Sequence, residues 1–266
     1  MEAPATTSRR GSSPRPPDDP IFGEPPPGDL APWWSLISPV EACEAEAAWI
    51  ATLLHSAAVP VGDLLELGSG GGQLAAHLKR HFRITMVDRS PQLVRLSRRL
   101  NPRCRHTVGD LRSVRLGTRF DAVLVRDVID SVTTEDDLRA AVATAHAHCR
   151  PGGIAVFVPG HVRETFEPGS DHGGSDGADG RSARFVSWRW DPDPADHWVV
   201  TQYALLLRHA DGTVEVAQVR QRTGLFARDV WLDVLREAGF DASAVEEDVD
   251  EDRPPRTLFV GHRPRD

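Results

Sequence analysis

Several groups of residues in this 266-residue sequence are spaced so that they could do chemistry. From Glu66 to Gly72 an acid is followed by glycines at every second position, Glu66-Leu67-Gly68-Ser69-Gly70-Gly71-Gly72. A turn without side chains lets the backbone approach a ligand closely and present its N–H groups. Further acids stand at or just beyond the ends of apolar runs: Asp88 after 84–87, Asp110 after 106–109, and Asp127 after 120–125. A carboxylate in such a place can accept two hydrogen bonds from a vicinal diol, or take a proton. His161 and His172 follow the next apolar run, and histidine is a base near neutral pH. The histidines, cysteines and acids show no metal-ligand spacing, so no metal is expected.

The elements that would position these residues alternate in type. The run that opens at Leu64 reads as a buried strand that stops at the glycine turn and hands over to an amphipathic helix, and 84–87 as a second strand that ends on Asp88. Strand, glycine turn, helix, strand, acid is the first half of a nucleotide-binding α/β sheet, whose ligand lies across the carboxyl ends of the strands. Ser90-Pro91 then starts a helix, 106–108 and 120–125 read as strands, and Thr134 caps a helix to His148 with Glu135 to Asp137 in its first turn. Arg150-Pro151-Gly152-Gly153 breaks that helix and launches a fifth strand, 154–158. The predicted fold is therefore α/β: a Rossmann-like, doubly wound, mostly parallel sheet of seven strands. It carries a small antiparallel β insert after the fifth strand. The insert comprises the runs ARFVSWRW, WVVTQYALLLRH and TVEVAQVRQR, the last two joined at Asp211-Gly212. A glycine-rich loop, 159–181, precedes them. After them come a helix at 228–238 and two last strands near 242–245 and 256–261, with the acidic run EEDVDED between as a solvated loop.

Three domains of behaviour follow. Residues 1–30, rich in proline, glycine and serine without apolar periodicity, read as a disordered arm. Residues 31–160 and 223–266 form the core, and 161–222 the loop and insert, a cap over an acceptor. Ahead of a helix predicted at 39–55, Trp33-Trp34 are either a hydrophobic staple on the domain body or a lid that excludes water. Hydrophobic residues make up 40% and charged residues 26%, as in a globular protein, and no apolar run is long enough to span a membrane. The net charge is −8 and the arginines are scattered among acids, which argues against nucleic acid as a partner. The N-terminus lacks the apolar segment of a secretory signal, and Cys43, Cys104 and Cys149 follow no disulfide or zinc spacing; a cytoplasmic setting is expected. A monomer or a homodimer is equally compatible with the sequence.

The turn departs from the dinucleotide fingerprint, because its third glycine is Gly72 and Gln73 stands where the last glycine would be. Glu66-x-Gly68-x-Gly70-x-Gly72 instead resembles motif I of class I S-adenosylmethionine-dependent methyltransferases. Over residues 62–160 the likeness continues in order through Asp88, Gly109-Asp110-Leu111, Phe120-Asp121 and Arg150-Pro151-Gly152-Gly153. It implies S-adenosylmethionine as cofactor, with Asp88 on the ribose hydroxyls and Asp110 on the adenine amine. The implied seat comprises Trp34, Glu66, Gly68, Ser69, Gly70, Asp88, Arg89, Asp110, Leu111 and Arg126. Beyond residue 160 the chain looks like bacterial small-molecule methyltransferases with an antiparallel insert, akin to those that methylate amino sugars. That group usually has a histidine and an aromatic residue after the fourth strand, where this chain has Arg126 and Ser131. The expected function is methyl transfer to an N or O atom of a small-molecule acceptor, plausible for secondary metabolism. The alternative is a protein that binds the cofactor without transferring methyl. His161, His172 and Asp127 are the candidate catalytic groups. Arg184, Trp188, Trp190 and Tyr203 are the candidate acceptor contacts, with glue between insert and sheet as the other role for the rings.

Overall fold

The computed structural model describes residues 30–247 and 255–265, so the arm expected over 1–30, Leu30 apart, and the acidic run after Glu247 lie outside the described residues. Short helical turns, Ala31–Trp33 and α1 (Trp34–Ile37), lead to a 3-10 turn at Val40–Cys43 and α2 (Glu44–His55). The core continues through β1 (Asp63–Leu67), α3 (Gln73–Leu78), β2 (Arg83–Asp88), α4 (Pro91–Leu100), β3 (Arg105–Val108), β4 (Phe120–Arg126), α5 (Glu135–His148) and β5 (Cys149–Val158). The insert follows as β6 (Gly169–Gly173), β7 (Ser182–Trp190), β8 (Trp198–Arg208) and β9 (Val214–Gly224). Then α6 (Arg228–Glu237), β10 (Asp241–Glu247) and β11 (Arg256–His262) close the chain.

Seven strands form one sheet in the order β10-β11-β5-β4-β1-β2-β3, with β1 to β5 mutually parallel and β11 antiparallel to both neighbours. Parallel strands are covered on both faces, so they read as unbroken apolar runs. Here Leu65, Val87, Val123 and Phe157 pack under α5 and α6, and Leu64, Met86, Leu124 and Val156 under α2 and α3. Caps set where helices begin. The Ser90 hydroxyl accepts from Leu93 N at 3.3 Å, and the Thr134 hydroxyl from Asp137 N at 3.2 Å. No helix among the described residues is long and apolar enough to cross a membrane.

The structure corrects several expectations. The 159–181 segment is not loop throughout, since β6 pairs with β7 and makes the insert a four-stranded sheet, β6-β7-β8-β9. Backbone hydrogen bonds to a neighbour suffice for an edge strand, so Gly169–Gly173 needs no apolar alternation of its own. β5 begins at Cys149, before the glycine pair, with a register irregularity between Phe120 and Ala122. The acidic run is not wholly solvated: Glu247 lies on β10, is 1% exposed, and accepts from Arg256 Nε at 2.9 Å.

Candidate active site

The glycine turn is set by close approach. Gly68, at φ 77°, leaves no room for a side chain, since a Cβ there would stand 1.9 Å from Val128 Cγ1. The N–H groups of Gly68 and Ser69 both donate to Val87 O, at 2.7 and 2.9 Å, which ties the turn to the end of β2. At φ 83° Gly72 opens α3, and its carbonyl accepts from Asn101 Nδ2 at 2.9 Å. Asp88 closes the other side: its Oδ2 accepts from Gly70 N and its Oδ1 from Ser90 N, each at 2.8 Å. Each oxygen keeps a second lone pair for a ligand. Trp34 leans on this turn, 2.8 Å from where a Cβ on Gly71 would lie, whereas Trp33 is buried with Leu36, Ala183, Leu205 and Leu207. Of the pair, Trp33 packs into the apolar cluster of the insert and Trp34 lies against the turn.

Glu66 is the anomaly of β1, an acid 4% exposed inside a buried strand. Burial pushes its carboxyl up to about 8 despite the opposing pull of Arg126, and Oε2 has no hydrogen-bond partner. Ser69 Oγ beside the turn is likewise buried and unpartnered. Such orphaned groups are rare in folded proteins unless a ligand completes them. At the end of β3, Asp110 is held by Arg112 through 2.8 and 3.0 Å contacts that depress its carboxyl below the ordinary range, while Arg112 also reaches Asp137 at 3.0 Å. Leu111 is buried in the core; burial pushes the Asp88 carboxyl up against the pull of Arg89, which also adds to the lowering of Asp110.

Past β4 the charges are knotted together. Arg126 holds Glu46 of α2 at 2.7 Å and Asp127 at 3.0 Å; Arg256 of β11 holds Asp127 at 3.2 Å, Glu247 at 2.9 Å, and Glu46 as well. Asp127 therefore has a guanidinium on each oxygen. It is also the only non-glycine residue with positive φ among the described residues, at 50°, a strained conformation worth roughly 1–3 kcal/mol. Expected as a base or an amine contact, Asp127 lies in an ion-pair cluster with an arginine on each oxygen.

Across from the cluster lies one face of the insert. Cross-strand pairing sets Asp171, Ser187, Tyr203 and Val219 in one row, with Arg189 beside it. Tyr203 is pushed up by burial, with Arg189, Asp171, Asp130 and Asp127 all bearing on it, so this face looks onto the ends of β4 and β5. His161 is there too, edge-on to Phe166 at 5.7 Å. Burial, helped by Arg189 and Arg256, lowers its pKa to about 4, which keeps it neutral and a weak base. The expected contacts Arg184 and Trp188 stand on the opposite face: Trp188 is 65% exposed and Arg184 pairs with Asp176 at 3.0 Å. Trp190 shares their alternation and stacks under Arg220 at 5.6 Å, and His172 is paired directly across from exposed Val186. These corrections have one cause: alternation defines two faces of a strand and does not say which is inward.

The residues the sequence reading missed are Glu46, Arg256, Arg189 and Asp130. Asp130, in the 3-10 turn Val128–Ser131, accepts from Gly160 N at 3.0 and 3.1 Å, and burial pushes it up to about 7. A second acid three residues after Asp127 was the only local hint.

Known proteins share both the central stretch and the fold. Residues 64–153 match the model of a methyltransferase domain, the stretch from β1 to the start of β5. Over its whole length the chain superposes on a sugar N-methyltransferase from Streptoalloteichus with a TM-score of 0.76 and 25% identity, covering 100% of both chains. Residues 64–153 thus resemble a methyltransferase domain, and the fold around them is shared with a sugar N-methyltransferase. The chain also aligns with a dTDP-3-amino-3,4,6-trideoxy-alpha-D-glucopyranose N,N-dimethyltransferase of Streptomyces venezuelae, 32% identical over 145 residues. That alignment takes in 54% of this chain and 61% of the relative, so the chain spans about three fifths of the curated relative it matches. An S-adenosylmethionine-bound amino pentose methyltransferase from Micromonospora echinaspora, involved in calicheamicin biosynthesis, superposes with a TM-score of 0.71 and 26% identity, over 83% of this chain and 91% of that one.

Proposed function

We propose that this protein moves a methyl group from S-adenosylmethionine to the amine nitrogen of a small, sugar-based acceptor, with residues 161–222 as the acceptor cap. The observation that carries this reading is the orphaned pair beside the glycine turn, Glu66 Oε2 and Ser69 Oγ, opposite Asp88 with a lone pair left on each oxygen. These residues fit the cofactor: Glu66 and Ser69 suit its amino acid end, Asp88 its ribose, and the Asp110–Leu111 segment its adenine. When bound, S-adenosylmethionine supplies a methyl group already activated by the sulfonium. The protein's task is then to orient, to exclude water and to handle one proton. Trp34 covers the turn, the Glu46–Arg126–Asp127–Arg256 clasp fixes the end of β4, and the Tyr203 face of the insert closes over the acceptor. Nitrogen rather than oxygen is favoured by the N-methyltransferase names of the relatives.

The test is purified protein with S-adenosylmethionine carrying a 13C methyl group and a panel of nucleotide-linked amino sugars and their hydroxyl counterparts. Methyl-labelled product and S-adenosylhomocysteine are expected with the amino sugars only. Tight cofactor binding without product across the panel would favour the non-transferring alternative. Product from the hydroxyl sugars alone would overturn the choice of nitrogen.

A further inference from the structure

An amine acceptor arrives mostly as an ammonium, and a nitrogen whose lone pair is protonated cannot displace a methyl group. Some group near the ends of β4 and β5 has to accept that proton, or solvent has to. Three side chains there could do so. His161 is too weak a base, for the reasons given above. Asp127 carries a guanidinium on each oxygen, Arg126 at 3.0 Å and Arg256 at 3.2 Å, and taking a proton would weaken both ion pairs. Asp130 differs from both. A single donor, Gly160 N, is shared between its two oxygens at 3.0 and 3.1 Å, and no arginine forms an ion pair with it among the described residues. A carboxylate has about four acceptor sites, so most of its capacity is unused.

We propose that Asp130 is the base for the acceptor: its carboxylate takes one proton from the substrate ammonium and leaves the nitrogen lone pair free to attack. The inference rests on the N-methyltransferase reading above. In the balanced step, R-NH3+ and the Asp130 carboxylate become R-NH2 and the Asp130 carboxylic acid. The nitrogen then forms a bond to the methyl carbon, the carbon–sulfur bond breaks, and its electron pair stays on sulfur as S-adenosylhomocysteine. Asp130 gives its proton to water when the products leave. The charged and titratable groups around it are Asp127 from the end of β4, His161 after β5, Arg189 and Tyr203 from the insert, and Arg256 from β11. Asp127 opposes ionisation of Asp130, and the two arginines favour it. The balance leaves a carboxyl that titrates near neutrality, where a general base serves best.

The experiment is Asp130→Asn, which retains an oxygen for Gly160 N and removes the base. With saturating amino sugar, kcat at pH 7 is expected to fall about 100-fold or more, while affinity for S-adenosylhomocysteine stays within about twofold. The acid limb of the wild-type kcat profile should disappear, and the residual rate should climb with pH as free amine accumulates. A purely structural role for Asp130 would lower the rate without changing the shape of the profile. Should Asp130→Asn fail to fold, Asp130→Glu takes its place, with the acid limb expected to move. Wild-type kcat in Asp130→Asn, or a limb that stays put in Asp130→Glu, overturns the assignment alone. A wild type that turns over no amine acceptor overturns both the function and this residue's role in it.

Discussion

Glu66 allows a prediction whose size follows from the structure. Its carboxyl sits 4% exposed in β1, and burial carries it from an ordinary value of 4.5 to about 8. A carboxyl raised in the folded state binds its proton more tightly folded than unfolded. Its contribution to stability is therefore complete below pH 4.5 and is lost as pH climbs toward 8. Between those values the loss is about 1.4 kcal/mol per pH unit, or about 2.5 kcal/mol from pH 5.5 to 7.5. At roughly 2–4 °C per kcal/mol for a chain of this size, the ligand-free protein should lose roughly 5–10 °C of Tm over that interval from this group. Asp130, raised to about 7, acts in the same direction. Glu66→Gln keeps the shape and removes the titration, so its Tm should fall much less over the same range and exceed that of the wild type at pH 7.5. Circular-dichroism melts at constant ionic strength measure both. Parallel Tm curves for the two proteins would refute the buried, protonated Glu66. A second reading comes from binding: an ammonium brought to this carboxyl would discharge its proton. Calorimetry of S-adenosylhomocysteine binding near pH 7, in buffers of different ionisation enthalpy, should show up to about one proton released by the wild type and none by Glu66→Gln.

Other perturbations separate the remaining parts of the site. Asp88→Ala removes the acceptor of the Gly70 and Ser90 N–H groups and should weaken S-adenosylhomocysteine binding by about 1–3 kcal/mol, read by calorimetry; unchanged affinity would remove Asp88 from the ribose subsite. Arg256→Met strips one guanidinium from Glu46, Glu247 and Asp127 while Arg126 still holds Glu46 and Asp127, and should cost about 1–3 kcal/mol in urea unfolding; a loss below about 0.5 kcal/mol would show that the clasp is not a unit. His161→Ala should leave kcat within about tenfold, because a neutral imidazole of pKa about 4 takes few protons from an ammonium; a fall as large as that expected for Asp130→Asn would restore it as the base.

Much of the cofactor half was legible in the sequence. Parallel strands buried on both faces announce themselves as apolar runs, and the glycines between them mark where a side chain would collide, as Gly68 does with Val128. The order of Glu66, Asp88, Asp110 and Asp127 along the chain is also their order of appearance at strand ends, because each lies at or just after its own strand. Such information is local, and local patterns survive in one dimension.

The acceptor side was decided elsewhere. Alternation in β7 separates Arg184 and Trp188 from Phe185, Ser187 and Arg189 but is silent on which set faces the sheet; packing of Trp33 and Leu36 on Ala183 and Leu205 made that choice. Asp127 and Asp130 are three residues apart and alike in type. What makes one a clasp and the other an open carboxylate is Arg256, which arrives on β11, 129 positions after Asp127. A sequence specifies elements through near neighbours, whereas the ionisation and free valence of a side chain depend on whatever the fold brings against it. Sequence alone thus determined the order of strands, glycine turn and strand-end acids, and only the tertiary structure determined which of the carboxylates meets an arginine.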